Sequence, residues 1–287
     1  MQSPFVEIEW VRAHMDDPSL RIVDARSRPH GAPDLVAPTG AELYAAGHLP
    51  GAIGLDYSEE LADPATPYAT RVAPPERFAR ALGERGIGDG ATIVAYDAGD
   101  VPYAARFVWM CRYYGHDDVA IMAGGLTAWQ RAGLPVTIEV LAREPAIFTP
   151  HERPRLRARR EEVLAIARGE SDAQLLETQR DKTYATRDRD IAGAKRLSGS
   201  ELLEDHNGGR VAPKEKLDRL VDALALDRTK RTIVTCGSGV SASGSYLALL
   251  EAGFTDLAVY DGSWLEWSHD DLPTTAKVRA AASPPSR

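Results

Sequence analysis

The chain has 287 residues, about twice the length of a typical domain, of which 44% are apolar and 26% charged. That balance excludes a fibrous or wholly disordered chain, and no apolar run reaches the ~20 residues that span a bilayer. Lysine and arginine number 34 against 42 acids, and the resulting net charge of -8 repels phosphate backbones, so no nucleic-acid partner and no membrane partner is expected.

The start, Met1 to Asp17, lacks an apolar core flanked by positive charge, so no secretory signal is read there and a cytoplasmic location is expected. Next, Arg21-Ile22-Val23 and Ala91-Thr92-Ile93-Val94-Ala95-Tyr96 read as buried strands. Between them Pro75 to Gly83 reads as a helix, with proline at its start and glycine at its end. The glycines at Gly83, Gly86, Gly88 and Gly90 follow no strand in a dinucleotide-binding pattern and mark turns. Tyr103 to Tyr114 carries apolar residues at helical spacing, Gly115 can close that helix, and Val119 to Met122 is the next strand. Alternating strands and helices imply a mostly parallel sheet covered on both faces.

A seam follows between about Leu141 and Arg160, where Pro145, Pro150 and Pro154 interrupt any helix and five arginines fall between Arg153 and Arg160. Two readings of those arginines are open: a solvated linker lying on acidic domain faces, or an anion or partner patch. Beyond the seam the chain repeats itself. Gly115-His116-Asp117-Asp118-Val119-Ala120-Ile121, with Gly124-Gly125 and Trp129, returns 138 residues later as Gly253-Phe254-Thr255-Asp256-Leu257-Ala258-Val259, with Asp261-Gly262 and Trp264. The expected organisation is therefore one α/β unit over 1–140, a linker over 141–160, a second α/β unit over 161–275 and a disordered tail over 276–287.

Two cysteines are too few for a disulfide framework or a four-ligand zinc site, and no cluster of metal-ligating residues or cofactor motif is present. Cys111 lies on a helix with a wide apolar face and reads as packing. Cys236 follows the strand Arg231-Thr232-Ile233-Val234-Thr235 and opens Cys236-Gly237-Ser238-Gly239-Val240-Ser241, before a helix from about Val240 to Ala252. The carboxyl end of a parallel strand is the usual ligand crevice of open α/β sheets. Two glycines let successive N–H groups turn toward one point, and the helix N-terminus adds positive partial charge, conditions that favour a thiolate and an anionic adduct. No arginine or lysine occurs from Cys236 to Ala252, which argues against the phosphate cradle of a cysteine phosphatase. No Gly-x-Ser-x-Gly elbow accompanies the serines of this loop.

Cys236-Gly237-Ser238-Gly239-Val240-Ser241-Ala242, followed by Tyr260-Asp261-Gly262-Ser263-Trp264, closely resembles the active domain of tandem rhodanese-family sulfurtransferases. The first half supports the resemblance with Val23-Asp24-Ala25-Arg26, Gly47-His48-Leu49-Pro50-Gly51-Ala52 and Gly124-Gly125-Leu126-Thr127-Ala128-Trp129. It implies two tandem rhodanese-like domains, the first catalytically silent with Asp97 where the cysteine would stand. It also implies that the Cys236 thiolate takes a sulfane sulfur from thiosulfate or 3-mercaptopyruvate as a persulfide and yields it to cyanide, a small thiol or a protein thiol. The cradle for that persulfide would be Gly237, Ser238, Gly239, Val240 and Ser241, with no cofactor.

The loop resembles the 3-mercaptopyruvate type, in which Ser238 would help with proton transfer and Asp56 matches a proposed partner of that serine. Where that type has a histidine before a proline, this chain has Arg71-Val72-Ala73-Pro74. Arg71 cannot act as a neutral base, although it can hold an anion. In the second half, Leu176-Glu177-Thr178-Gln179 stands for the usual Val-Asp-Ala-Arg, so Gln179 replaces an arginine expected to grip the donor. Arg180, Lys182 and Arg187 are the candidates to replace its charge. These losses also motivate an alternative expectation, a non-catalytic sulfur-sensing or protein-binding module that keeps the fold.

Overall fold

The computed structural model describes residues 1, 3–28, 37–66, 70–99, 103–204 and 210–277. Its first half builds a five-stranded sheet from β1 (Phe5–Val6), β2 (Leu20–Asp24), β3 (Ile53–Gly54), β4 (Thr92–Tyr96) and β5 (Val119–Met122). The strand order is β1-β5-β4-β2-β3, with every pair parallel. The second half continues with β6 (Arg157–Ala158), β7 (Gln174–Glu177), β8 (Arg189–Ile191), β9 (Ala194–Arg196), β10 (Leu203–Glu204), β11 (Arg210–Val211), β12 (Thr232–Thr235), β13 (Leu257–Tyr260) and β14 (Thr274–Ala276). Its parallel sheet runs β6-β13-β12-β7-β9, the same plan as the first, while β8 pairs with β14 and β10 with β11 as antiparallel ribbons.

Side chains alternate across each strand, so each sheet feeds two different cores. On the inner faces Val23 and Ala95 of the first sheet, and Leu176 and Val234 of the second, belong to one continuous apolar cluster with Phe107, Tyr246 and Leu247. The outer faces keep separate cores, Ile22, Val94 and Trp129 in one half and Leu175, Ile233 and Trp267 in the other. The helix Tyr103–Tyr113, buried at nearly every position, packs against the helix Val240–Glu251 at the heart of the shared core. A helix buried on almost every side has little face to offer water, which fixes it between the two halves. Cys111 sits on it, fully buried, and burial drives its thiol well above the usual range.

Three of the seam's arginines lie on acidic faces, as in the first reading, and a fourth follows neither reading. Arg153, Arg155 and Arg160 lie on solvent-facing acids, Asp117, Asp256 and Asp270, at 2.7, 2.6 and 2.6 Å. Pairs of that kind contribute only ~0–1 kcal/mol each. Arg157 differs: it opens β6, and its Nη2 stands 2.8 Å from the buried carboxylate of Asp261. At the other end, Ala276 belongs to β14 and pairs with Arg189 rather than opening a disordered tail, and residues 278–287 lie outside the described residues. Among the described residues no helix is long and apolar enough to cross a membrane.

Because the inner faces share one core, the two halves are expected to unfold together. Calorimetry should record one cooperative transition, and Phe107→Ala, which empties part of the shared core, should cost ~3–5 kcal/mol of the whole. Two resolved transitions, with only one moved by the substitution, would contradict a shared core.

Candidate active site

Cys236 is the first residue after β12, and the chain must turn there to enter the helix Val240–Glu251. Gly239 makes that turn with φ +82°, a conformation that side-chain-bearing residues avoid. A Cβ at Gly239 would also stand 2.6 Å from the carbonyl oxygen of Asp261, so the position has no room for one. The segment after β13 ties the loop down. Trp264 N–H donates to the Cys236 carbonyl at 3.0 Å and Leu265 N–H to the Gly237 carbonyl at 2.8 Å. Cys236 N–H donates to Ser263 Oγ at 3.1 Å, and Ser263 Oγ donates onward to the Tyr260 carbonyl at 2.8 Å. Ser263 holds φ +49°, where its first-half counterpart Gly125 holds +55°. A non-glycine residue kept in that region is strained, and these two hydrogen bonds are what its side chain gains there.

The loop presents donors to the sulfur. Gly239 N–H donates to Cys236 Sγ at 3.1 Å. Among the described residues no acceptor engages the N–H groups of Gly237, Ser238 or Val240. Such a nest of backbone donors at a helix start suits a sulfur anion. The matching turn of the first half is already filled. There Asp97 accepts from Gly99 N–H at 2.7 Å and from Ala104 N–H at 3.2 Å, so a built-in carboxylate occupies the donors that the second half leaves for sulfur.

Behind the loop lies a buried charge cluster. Asp261 is fully buried and is met by the fully buried Arg106, by Arg157 at 2.8 Å and by Arg71 at 4.0 Å, while Val72 N–H donates to it at 3.2 Å. Burial works against its negative charge, but Arg106, Arg157 and Arg71 outweigh that and hold its carboxyl below the ordinary aspartate range. Arg71 is further engaged by Glu266 at 2.6 Å. Together with Arg157, Tyr113, Tyr260 and Glu266 it lines a polar cleft of about 490 Å³ in which Cys236 takes no part.

The other sequence candidates fall into place around β7. Gln179 lies against the loop, its Nε2 at 2.8 Å from where a Cβ of Gly237 would be, and its buried Oε1 has no hydrogen-bond partner. In the first half the corresponding Arg26 donates to Asp24 and to the carbonyls of Leu43 and Gly47, so it is part of the framework there. In the second half that framework role passes to Arg187. It pairs with the buried Glu177 and with Asp190 at 3.0 Å, and is stacked between the rings of Tyr184 and Trp264 at 5.0 and 4.8 Å. Burial raises the Glu177 carboxyl and Arg187 only partly offsets it. Arg187 is thus committed to Glu177 and Asp190 instead of standing available to a donor. Arg180 caps the short helix Asp181–Tyr184, and Lys182 is exposed on it. Asp56 accepts from Ser27 Oγ, Gly40 N–H and Ser58 N–H at 2.9, 2.7 and 2.9 Å, which ties it to loops of the first half and not to Ser238. Ser238 and Ser241 are half-buried at the loop.

Three residues of this site escaped the sequence reading: Ser263, Asp261 and Arg106. The first two lie in the quoted Tyr260-Asp261-Gly262-Ser263-Trp264 run, but only their geometry gives them a task. Arg106 carried a usable signal, a lone cation in an otherwise apolar stretch from Tyr103 to Cys111.

Two substitutions test the geometry. Gly239→Ala should destabilise by more than the ~1 kcal/mol that the same change gains at a compatible site, because both φ and the Asp261 carbonyl oppose a side chain, and it should slow any reaction of Cys236. Arg187→Met should leave Glu177 buried without its cation and cost ~3–5 kcal/mol by urea unfolding at pH 7. A raised carboxyl binds its proton more readily folded than unfolded, so that loss should shrink as pH falls below the raised value and Glu177 becomes neutral. A loss that stays equal at every lower pH at which the protein remains folded would refute the assignment of the charge to Glu177.

Comparison with known proteins agrees with the geometry. The rhodanese-like domain model matches residues 7–132 and 160–270. The 3-mercaptopyruvate sulfurtransferase of Escherichia coli is 32% identical over 279 residues, covering 94% of this chain and 96% of its own. The thiosulfate sulfurtransferase of Bos taurus is 34% identical over 278 residues, covering 93% and 91%. The crystal structure of SseA from Escherichia coli superposes with a TM-score of 0.81 at 30% identity, covering 91% of this chain and 99% of that one.

Proposed function

The chain belongs to the rhodanese-like domain family and is a sulfurtransferase; from that premise we propose that Cys236 carries the sulfur as a persulfide and that 3-mercaptopyruvate is the preferred donor. The observation that carries the role of Cys236 is the pairing of its sulfur with Gly239 N–H while neighbouring loop N–H groups have no acceptor among the described residues.

In the loading step the Cys236 thiolate attacks the sulfur of 3-mercaptopyruvate. The new S–S bond forms as the C–S bond breaks, and its electron pair leaves on the carbon fragment as the enolate of pyruvate. The thiol proton ends on that carbon, giving pyruvate and an enzyme persulfide anion. With thiosulfate the leaving group would be sulfite. Cyanide or a thiolate then attacks the outer sulfur, and the S–S bond pair returns to Cys236 as thiolate. The loop N–H groups stabilise both anionic forms of the cysteine, and no metal or organic cofactor enters these steps.

Donor preference follows from charge. Thiosulfate places two negative charges at the loop, whereas the carboxylate of 3-mercaptopyruvate places one. The loop contributes no cation, Gln179 is neutral, Arg187 serves Glu177 and Asp190, and Arg71 serves Asp261 and Glu266. A single carboxylate asks less of such a loop than a dianion does. Ser238, half-buried on the loop, is proposed to guide the thiol proton toward carbon.

Incubation with each donor, followed by intact-mass measurement, should add one sulfur to the wild type and none to Cys236→Ser. The value of kcat/KM should favour 3-mercaptopyruvate by about tenfold or more, and Gln179→Arg should narrow that ratio by restoring a charged donor. Absence of loading by either compound would refute the sulfur-carrier role, and a preference for thiosulfate would refute the charge argument.

A further inference from the structure

We propose that Arg106, contributed by the first half, is a positioning residue for sulfur transfer: it holds and polarises the Gly239 carbonyl and so readies the Val240 N–H, at the start of the helix behind Cys236, for the transferred sulfur. This rests on the reading of Cys236 as the sulfur carrier.

Arg106 lies in the shared core, on the helix Tyr103–Tyr113, and its donors are used in several directions. Nε meets Tyr57 Oη at 3.2 Å, Nη2 meets the Thr70 carbonyl at 2.9 Å and the Asp261 carboxylate, and Nη1 points at the Gly239 carbonyl at 3.5 Å. The guanidinium also lies over the Trp109 ring at 4.6 Å. This degree of fixation is unusual for a long flexible side chain, and one of its ends terminates on the cysteine loop. The same carbonyl accepts a second bond, from Ser243 Oγ at 3.1 Å.

The chemistry follows from peptide connectivity. The Gly239 carbonyl and the Val240 N–H belong to one planar, conjugated amide. Donation to the oxygen withdraws electrons from the nitrogen and makes its N–H a stronger donor, the ordinary cooperativity of hydrogen-bond chains. Val240 N–H has no acceptor among the described residues and begins the helix behind Cys236. A cation 3.5 Å from the oxygen and shielded from water acts on that amide with little screening by salt. Asp261 sets the direction of this cation by binding its other edge, and its own carbonyl closes the space beside Gly239. Arg157 and Arg71 keep Asp261 compensated, so replacing Arg106 does not strand its charge. The silent half thus does more than cover the active one.

Arg106 is fully buried, so its effect belongs in turnover rather than donor binding. Arg106→Met should lower kcat about tenfold with the donor KM changed less than about twofold, and Arg106→Lys, which keeps a cation, should recover most of that loss. Ser243→Ala removes the other bond to the same oxygen and should lower kcat about threefold, again at nearly constant KM. It carries the test if the Met variant does not fold. The proposal is overturned if folded Arg106→Met retains wild-type kcat, if Lys is no better than Met, or if Ser243→Ala leaves kcat unchanged. Loading of wild-type Cys236 by intact mass separates the two readings, since a wild type that accepts no sulfur defeats the sulfur-carrier role itself.

Discussion

The arrangement turns on one buried carboxylate. Asp261 follows β13, beside the cysteine loop, and draws Arg71 and Arg106 from the first half and Arg157 from the start of the second. Taking such charges out of water is costly, and a buried ion pair seldom stabilises a fold more than apolar packing would. Its consequence here is geometric. The cluster joins both halves, and in this arrangement it holds a cation from the first half at the Gly239 carbonyl. Because the folded carboxyl is held below its ordinary value, its contribution to stability is present above the usual aspartate range and fades as pH falls through the lowered value. Acid therefore weakens the tie between the halves together with the support of the loop.

Duplication explains why such a tie exists. Two copies of one α/β unit turn their inner sheet faces toward each other, and the helices that follow β4 and β12 become partners in a common core. Each copy ends its central strand in a turn rich in backbone donors. One turn is occupied by its own Asp97, whose carboxylate accepts from two of those donors. The other has a cysteine with one N–H on its sulfur and others left over. A carboxylate and a thiolate are alternative anions for the same cradle, and only the thiolate can exchange sulfur.

Local signals were legible in the sequence because they depend on neighbours along the chain. The helix Pro75–Gly83 and the strand Val119–Met122 lie where periodicity and end signals put them. The glycine-bearing loop at Cys236 was visible for the same reason, since a turn between strand and helix is written in consecutive residues. The charge partners were not. Arg106 and Asp261 are 155 residues apart, and nothing local to either announces the other. Arg157 looked like one more linker arginine, although it opens a strand whose position brings it to Asp261. Ser263 stands in the sequence only as one member of a motif, because its strained backbone and its bond from Cys236 N–H exist only in three dimensions.

The exchange of arginine for Gln179 shows how such a mismatch is resolved. In the first half Arg26 neutralises Asp24 from two residues away. In the second, Gln179 cannot neutralise Glu177, and a buried carboxylate without a cation would be severely destabilising. Arg187 therefore comes from the far end of the intervening segment, stacks between Tyr184 and Trp264, and meets both Glu177 and Asp190. Local electroneutrality is restored, but the restored charge faces the framework instead of the loop. What remains beside Gly237 is an uncharged amide whose buried oxygen has no donor. The amide nitrogen, nearest to Gly237, can donate to an anion there but brings no full charge to offset one. The neutral residue at 179 thus leaves the neutralisation of Glu177 to Arg187, and no charge is passed on to the loop.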